Sequence, residues 1–423
     1  MSTTKSSGPP PRPAAAPAPP VAAPPPTQKC LFQNETVWRP LKADGDEKAK
    51  KDAEQTRQML TERLGNLLLS QNLLLLIGSG ASVAVGGPSM PALWDAAAAS
   101  QQTVFDEVCD IVGHSKDKRD IEALLSRCQG AKGFLEKAKA DKVKPFIEVV
   151  EGIIRDKCRQ VEEWQRVKGT KQSVLETITP YMTLLSRVVP RRQDLPRTRI
   201  FTTNYDPCVE LAAKERRMPI LDGFDLISPR TFDGRWFDYD FVRRSNKEGA
   251  PDYLESVFHL YKLHGSVDWY RSDEGIIRKP DTDKPYLIYP RDEKFALSFE
   301  QPFLEMMSRF QMALREKDTA LILVGFGLND HHLNQPIYHA LATNDKFKLL
   351  VVDYSPEAKL APGQQWEKLS NLQKAGAALD LIQTDFRDFP PLLPTYAQAR
   401  ASNTQEQAAQ LLKVLSAKPL PKT

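Results

Sequence analysis

At 423 residues the chain exceeds the length at which a single hydrophobic core stops growing, so one large domain with insertions, or two domains, is expected and a peptide-sized or fibrous protein is excluded. Its 58 Lys and Arg against 54 Asp and Glu leave a formal charge of +4, too slight to announce a nucleic-acid partner or an anionic membrane surface. With 41% hydrophobic and 26% charged residues the composition is that of a soluble globular chain, and no apolar run approaches the roughly 18 residues that would span a bilayer.

Ten of the 33 prolines fall between Pro9 and Pro26 among alanines, a composition that cannot bury enough apolar surface to offset its ordering entropy. Residues 1–35 are therefore expected to be a disordered arm, a solvated tail rather than a polyproline ligand. The N-terminus has no apolar signal-peptide core, so secretion is not expected. From Asp46 to Ser70, Leu60, Leu64, Leu67 and Leu68 recur at helical spacing and predict a helix leading into the fold.

Short, nearly uninterrupted apolar runs follow at 73–77, 320–324 and 349–352, with weaker companions at 199–203 and 261–263. Such runs suit strands covered on both faces. They predict an α/β protein with a doubly wound, Rossmann-like, mostly parallel sheet, carried by residues 46–99 and 196–390. Residues 100–195, rich in Lys, Glu and Arg with helical pairs such as Ile121, Leu124, Leu125 and Ile147, Val150, Ile154, are expected to be a helical insertion. Residues 221–255 have no clean periodicity and are expected to form a long loop overhanging the site. Residues 391–423 complete the chain with a short amphipathic helix through Ala408, Leu411, Leu412 and Leu415 and a tail.

Cys30, Cys109, Cys128, Cys158 and Cys208 are spread singly, with no Cys-x-x-Cys pair and an odd count. That pattern argues for reduced cysteines acting as small hydrophobes in a cytoplasmic protein, and against a zinc site.

The chemistry-bearing motifs stand where the apolar runs end, the place where doubly wound sheets keep their sites. Gly78-Ser79-Gly80-Ala81-Ser82 is either a cradle whose backbone approaches phosphate or a tight structural turn. Thr203-Asn204-Tyr205-Asp206 puts an amide and a carboxylate two residues apart, for one polar ligand or for a helix cap. Leu263-His264-Gly265 gives a lone histidine at a strand end, functional or merely satisfied by backbone. Gly325-Phe326-Gly327-Leu328-Asn329-Asp330 ends in a pair that could cap a helix or hold a ribose.

Taken together and in this order, the four motifs resemble the sirtuin-like family over roughly residues 70–390. The resemblance is greatest to its bacterial branch that cleaves NAD during defence against phage, with Gly87-Pro88 and Leu93-Trp94-Asp95 standing where that branch has its Gly-Pro and Leu-Trp signatures. Protein-deacylating sirtuins carry paired Cys-x-x-Cys motifs after the histidine, whereas residues 265–320 contain no cysteine, and they have Gln where this chain has Thr203. The resemblance therefore implies NAD as substrate, no metal, and glycohydrolysis to nicotinamide and ADP-ribose, the alternatives being a protein deacylase or ADP-ribosyltransferase and a non-catalytic NAD or ADP-ribose sensor.

It further implies Asn204 and His264 as the catalytic pair. Gly78, Ser79, Gly80 and Ser82 would meet the pyrophosphate, and Thr203 and Asp206 the nicotinamide riboside end. Gly325, Gly327, Asn329 and Asp330 would border the adenosine, with Asp353 a lesser candidate there. A homo-oligomer with a separate sensor or activator is expected, a ring-shaped DNA-translocase ATPase being one candidate, with no membrane and no direct nucleic-acid contact.

Overall fold

The computed structural model describes residues 26–43, 45–131, 133–161, 173–244, 251–289 and 300–405. The prolines before Pro26 and the expected helix through Leu415 lie outside these residues. Among them the strands are, in chain order, β1 (Lys29–Leu31), β2 (Arg39–Pro40), β3 (Asn72–Ile77), β4 (Arg199–Thr202), β5 (Ile220–Leu221), β6 (Val242–Arg243), β7 (Asp252–Tyr253), β8 (Phe258–Lys262), β9 (Trp269–Ser272), β10 (Gly275–Arg278), β11 (Thr319–Val324), β12 (Lys348–Asp353) and β13 (Leu379–Gln383).

Nine of these strands form one sheet in the order β2-β1-β13-β12-β11-β3-β4-β8-β5. The seven from β13 to β5 are parallel, while β1 and β2 add antiparallel at one edge. From β3 the chain progresses outward through β4 to β8 on one side, and from β11 through β12 to β13 on the other. The order therefore reverses between β3 and β11, and a crevice opens at the carboxyl ends of the strands at such a reversal. The fold is α/β with a Rossmann-like sheet.

Alternation along the strands explains the layers. Leu73, Leu75 and Ile77 turn to a core shared with α1 (Glu47–Leu68), α7 (Val174–Val188) and α8 (Cys208–Arg216), whereas Leu74 and Leu76 turn to a core shared with the helices Phe303–Leu314 and His331–Thr343. Covering on both faces is why the sequence reads as unbroken apolar runs. Asp46 starts α1 by accepting from the Ala49 amide at 2.9 Å, a side-chain cap.

Three expectations meet a different arrangement. Residues 29–31, inside the stretch read as a disordered arm, form β1 against β13, because Cys30 and Phe32 supply apolar side chains that are fully buried. The stretch read as the insertion divides in its packing. α4 (Gln102–Ile111), α5 (Ile121–Ala131) and α6 (Lys137–Arg159), joined by α3 (Met90–Ser100), build a third core around Trp94, Phe105 and Phe146, while α7 belongs to the sheet. Residues 221–244 do not overhang the site. Phe224 and Phe237 are buried against Trp269 and Tyr261 beside the edge strand β5, so aromatic anchoring, invisible as periodicity, fixes this segment to the sheet's flank.

Candidate active site

Four adjacent strand ends, those of β11, β3, β4 and β8, border one cavity of about 180 Å³. Ser79 and Ser82 reach it from the turn and short helix after β3, Thr203 to Asp206 from the loop after β4, His264 from the loop after β8, and Gly327, Asn329 and Asp330 from the loop after β11. Residues from four separate sequence motifs thus meet in one place because parallel strands point their carboxyl ends the same way.

The loop after β4 is fixed first. The Thr203 amide donates to Ile77 O at 3.2 Å and the Asn204 amide to Thr202 Oγ1 at 3.0 Å. Asn204 Nδ2 donates to Gly78 O at 3.0 Å and to Ser82 Oγ at 2.8 Å, while Ser82 Oγ donates to Asp206 Oδ2 at 2.7 Å. Because the carbonyl and the carboxylate can only accept, these bonds orient the amide without ambiguity. Asn204 Oδ1 is left buried with no hydrogen-bond partner. An acceptor in that condition costs roughly 1–3 kcal/mol unless a ligand or water donates to it. Asp206 also closes the start of α8, its Oδ1 accepting from the Cys208 amide at 3.1 Å.

His264 follows β8 at a sharp turn. Gly265 has φ of +87°, and a Cβ there would stand 2.3 Å from Tyr286 O, so only glycine lets the chain pass. The His264 carbonyl accepts from the Ile288 amide at 2.9 Å, and its Nε2 lies 3.2 Å from Asp330 Oδ2. Asp330 in turn caps the helix His331–Thr343, its Oδ1 accepting from the His332 amide at 3.1 Å. The loop that carries Asn329 and Asp330 is held by Trp366 Nε1 on Gly327 O at 2.9 Å and by Asn334 Nδ2 on Leu328 O at 2.6 Å.

Residues 198–374 match the family model of the SIR2-like domain. This stretch is similar to SIR2-like domains. Such a domain implies use of NAD, and the matched residues hold Asn204, Asp206, His264, Asn329 and Asp330 of the cavity. No curated protein matches the chain. The turn that carries Ser79 and Ser82 and the helices α3, α5 and α6 lie outside the matched stretch and border the same cavity.

Gly78 and Gly80, expected at the pyrophosphate, and Gly325, expected beside the adenosine, stand behind the cavity rather than on it. Gly78 and Gly80 donate their amides to Val324 O at 3.0 Å and Gly325 O at 2.9 Å. A Cβ on Gly325, whose φ is +59°, would lie 2.4 Å from the Ala81 amide nitrogen. They let the β3 turn and the end of β11 press together, the structural alternative of the sequence reading. Asp353 is not at the cavity either. Its carboxylate pairs with Lys359 at 2.7 Å and accepts from the Ser355 amide at 2.9 Å.

Residues that motif reasoning missed come from the helical subdomain and the motif interiors. Met90 and Leu93 of α3, Glu122 of α5, and Ile154 and Cys158 of α6 line the cavity beside Tyr205 and Phe326. The sequence signal was the apolar face of each helix, which shows burial without saying what it covers. Burial pushes the Tyr205 hydroxyl well above its ordinary value, so it stays protonated and donates to Ile288 O at 2.6 Å. Burial likewise raises the Cys158 thiol, keeping it out of the reactive thiolate form.

The five cysteines are free. Among the described residues no group of His, Cys, Asp and Glu could hold a metal ion, and no helix is long and apolar enough to cross a membrane.

Behind the site, Lys262 Nζ reaches Asp206 O at 2.6 Å and Glu210 at 3.0 Å. Arg278 pairs with Asp268 at 2.5 Å and with Asp222 at 2.8 Å, and Arg230 pairs with Asp222 at 2.6 Å. Opposite charges buried together in this way tie the loops after β4 and β8 to the flank of the sheet, and losing one partner would strand the other.

Proposed function

We propose that the protein is an NAD glycohydrolase, cleaving NAD to nicotinamide and ADP-ribose. The observation that carries this reading is Asn204, which lines the same cavity as His264 and whose buried Oδ1 has no hydrogen-bond partner, within the stretch that matches the SIR2-like domain. A ribose hydroxyl or a water molecule supplies the donor that this oxygen lacks.

Breaking the bond between nicotinamide and ribose builds oxocarbenium-like charge on the sugar while the pyridinium leaves already cationic, so placement of water and acceptors matters more than a strong acid. Asn204 orients the water or ribose hydroxyl through Oδ1, its own amide fixed by Gly78 O and Ser82. His264 takes the proton from that hydroxyl or water as a general base. Asp206 holds Ser82, and through it Asn204, in place. Ser79 and Ser82 are the residues of the first turn that face the ligand.

His264→Ala and Asn204→Ala are each expected to lower nicotinamide release from NAD at least about a hundredfold, the usual worth of a general base or positioned dipole. Release within a few-fold of the parent in either variant would overturn the assignment.

The motif set further supports a cytoplasmic anti-phage effector that assembles as a homo-oligomer and answers to a separate activator, since an unrestrained NAD hydrolase would kill its own cell. Comparing NAD turnover by the purified protein with turnover after adding the products of neighbouring genes tests this. Full activity alone, unchanged by any of them, would remove the activator.

A further inference from the structure

We infer that Asp330 is a positioning residue which sets the tautomer of His264, so that neutral His264 carries its proton on Nε2 and keeps its lone pair on Nδ1. The inference rests on the glycohydrolase reading only for its kinetic arm. Asp330 has two carboxylate oxygens with different duties. Oδ1 accepts from the His332 amide at 3.1 Å and so caps the helix His331–Thr343, while Oδ2 stands 3.2 Å from His264 Nε2. Both side chains are buried. A carboxylate can only accept, so the imidazole nitrogen facing it must be the one that bears hydrogen.

The carboxylate sits where its charge is favoured, at the positive end of a 13-residue helix. It cannot swing away without uncapping that helix. The loop before it is held from both sides by Trp366 and Asn334, and the backbone of His264 is pinned by the Ile288 amide and the glycine turn. The two partners therefore approach each other from separately anchored strands, β8 and β11. This gives Asp330 a task other than bordering adenosine: it orients the base and assigns Nδ1 as the atom that takes the proton.

Asp330→Asn tests the inference sharply. Asn caps helices as well as Asp, so Oδ1 keeps the His332 amide and the fold stands. The group then facing His264 Nε2 is Nδ2, which can only donate. The imidazole must answer with its lone pair on Nε2 and move its proton to Nδ1, the reverse of the parent. Asp330→Ser also caps but leaves the tautomer undirected.

Long-range proton–nitrogen spectra of protein labelled with nitrogen-15 in histidine, with the His264 signals assigned by their loss in His264→Gln, read the tautomer directly. The expected result is the Nε2-protonated form in the parent, the Nδ1-protonated form in Asp330→Asn and a mixture in Asp330→Ser. Nicotinamide release should follow the same order, with kcat lowest in Asp330→Asn, down at least about a hundredfold, and KM changed by less than about threefold.

A purely structural role predicts equal behaviour of the Asn and Ser variants. An unchanged tautomer in Asp330→Asn, or an inverted tautomer with undiminished kcat, would overturn the inference. If the parent released no nicotinamide at all, the glycohydrolase reading would fail while the spectra would still decide the tautomer. Should Asp330→Asn not fold, the parent spectrum and Asp330→Ser decide by the same signature.

Discussion

Ser82 joins the candidate catalytic amide to the rest of the molecule. Its hydroxyl accepts from Asn204 Nδ2, donates to Asp206 Oδ2 and lies 3.2 Å from the Tyr181 hydroxyl. Burial pushes Tyr181 well above its ordinary value, so that phenol remains a donor and Ser82 accepts from it as well. Ser82→Ala leaves a buried carboxylate oxygen and an amide hydrogen without a partner, each costing about 1–3 kcal/mol. The expected outcome is a clear drop in the urea midpoint together with reduced nicotinamide release. An unchanged midpoint would mean that Asn204 is held without Ser82. Asn204, His264 and Asp330 were legible in the sequence because each follows an apolar run at a strand's carboxyl end. Asp353 gave the same signal and is committed to Lys359, a pairing made six residues further on that the strand pattern does not report.

At the scale of elements, the join between β3 and β11 decides whether the crevice forms. Gly78, Gly80 and Gly325 are pressed together so closely that added Cβ atoms would stand 2.4–2.8 Å from backbone atoms, and Gly325 also needs its positive φ. Gly325→Ala is therefore expected to lower the melting temperature markedly and to abolish nicotinamide release. A variant as stable as the parent would show that the two loops can separate without loss. The strands themselves were legible because burial on both faces removes polar residues from them. The segment 221–244 was not, because Phe224, Phe237 and Asp222 find their partners Trp269, Tyr261 and Arg278 across the chain rather than at a regular spacing within it.

At the scale of the whole molecule, His259 is an identifiable contributor to acid stability. Burial, and then the Arg199 charge, pull the His259 pKa from 6.5 down to about 4. The unfolded chain therefore binds the proton first, so this contribution is intact above about pH 6.5 and is lost as pH falls toward 4. Melting temperatures measured from pH 7 to 4 should decline in the parent and decline less steeply in His259→Gln. Parallel curves would clear His259 of that part.

The helical subdomain poses the larger question of how substrate enters. Its helices α3, α5 and α6 supply Met90, Leu93, Glu122, Ile154 and Cys158 to the cavity wall, and Arg159 at the end of α6 clips it to Val267 O at 2.9 Å and Thr282 O at 2.7 Å, next to the His264 loop. The cavity of about 180 Å³ is smaller than the roughly 300–1,000 Å³ usual for small-molecule sites. A dinucleotide must therefore meet these helices, either by displacing them or by being closed in beneath them. Hydrogen exchange with and without NAD, using His264→Ala so that substrate persists, is expected to change in α5 and α6 while β6 and β7 on the flank exchange as before. The reverse pattern, with 221–244 protected and α5 and α6 unaltered, would return the role of cover to that segment and leave the subdomain as a bystander.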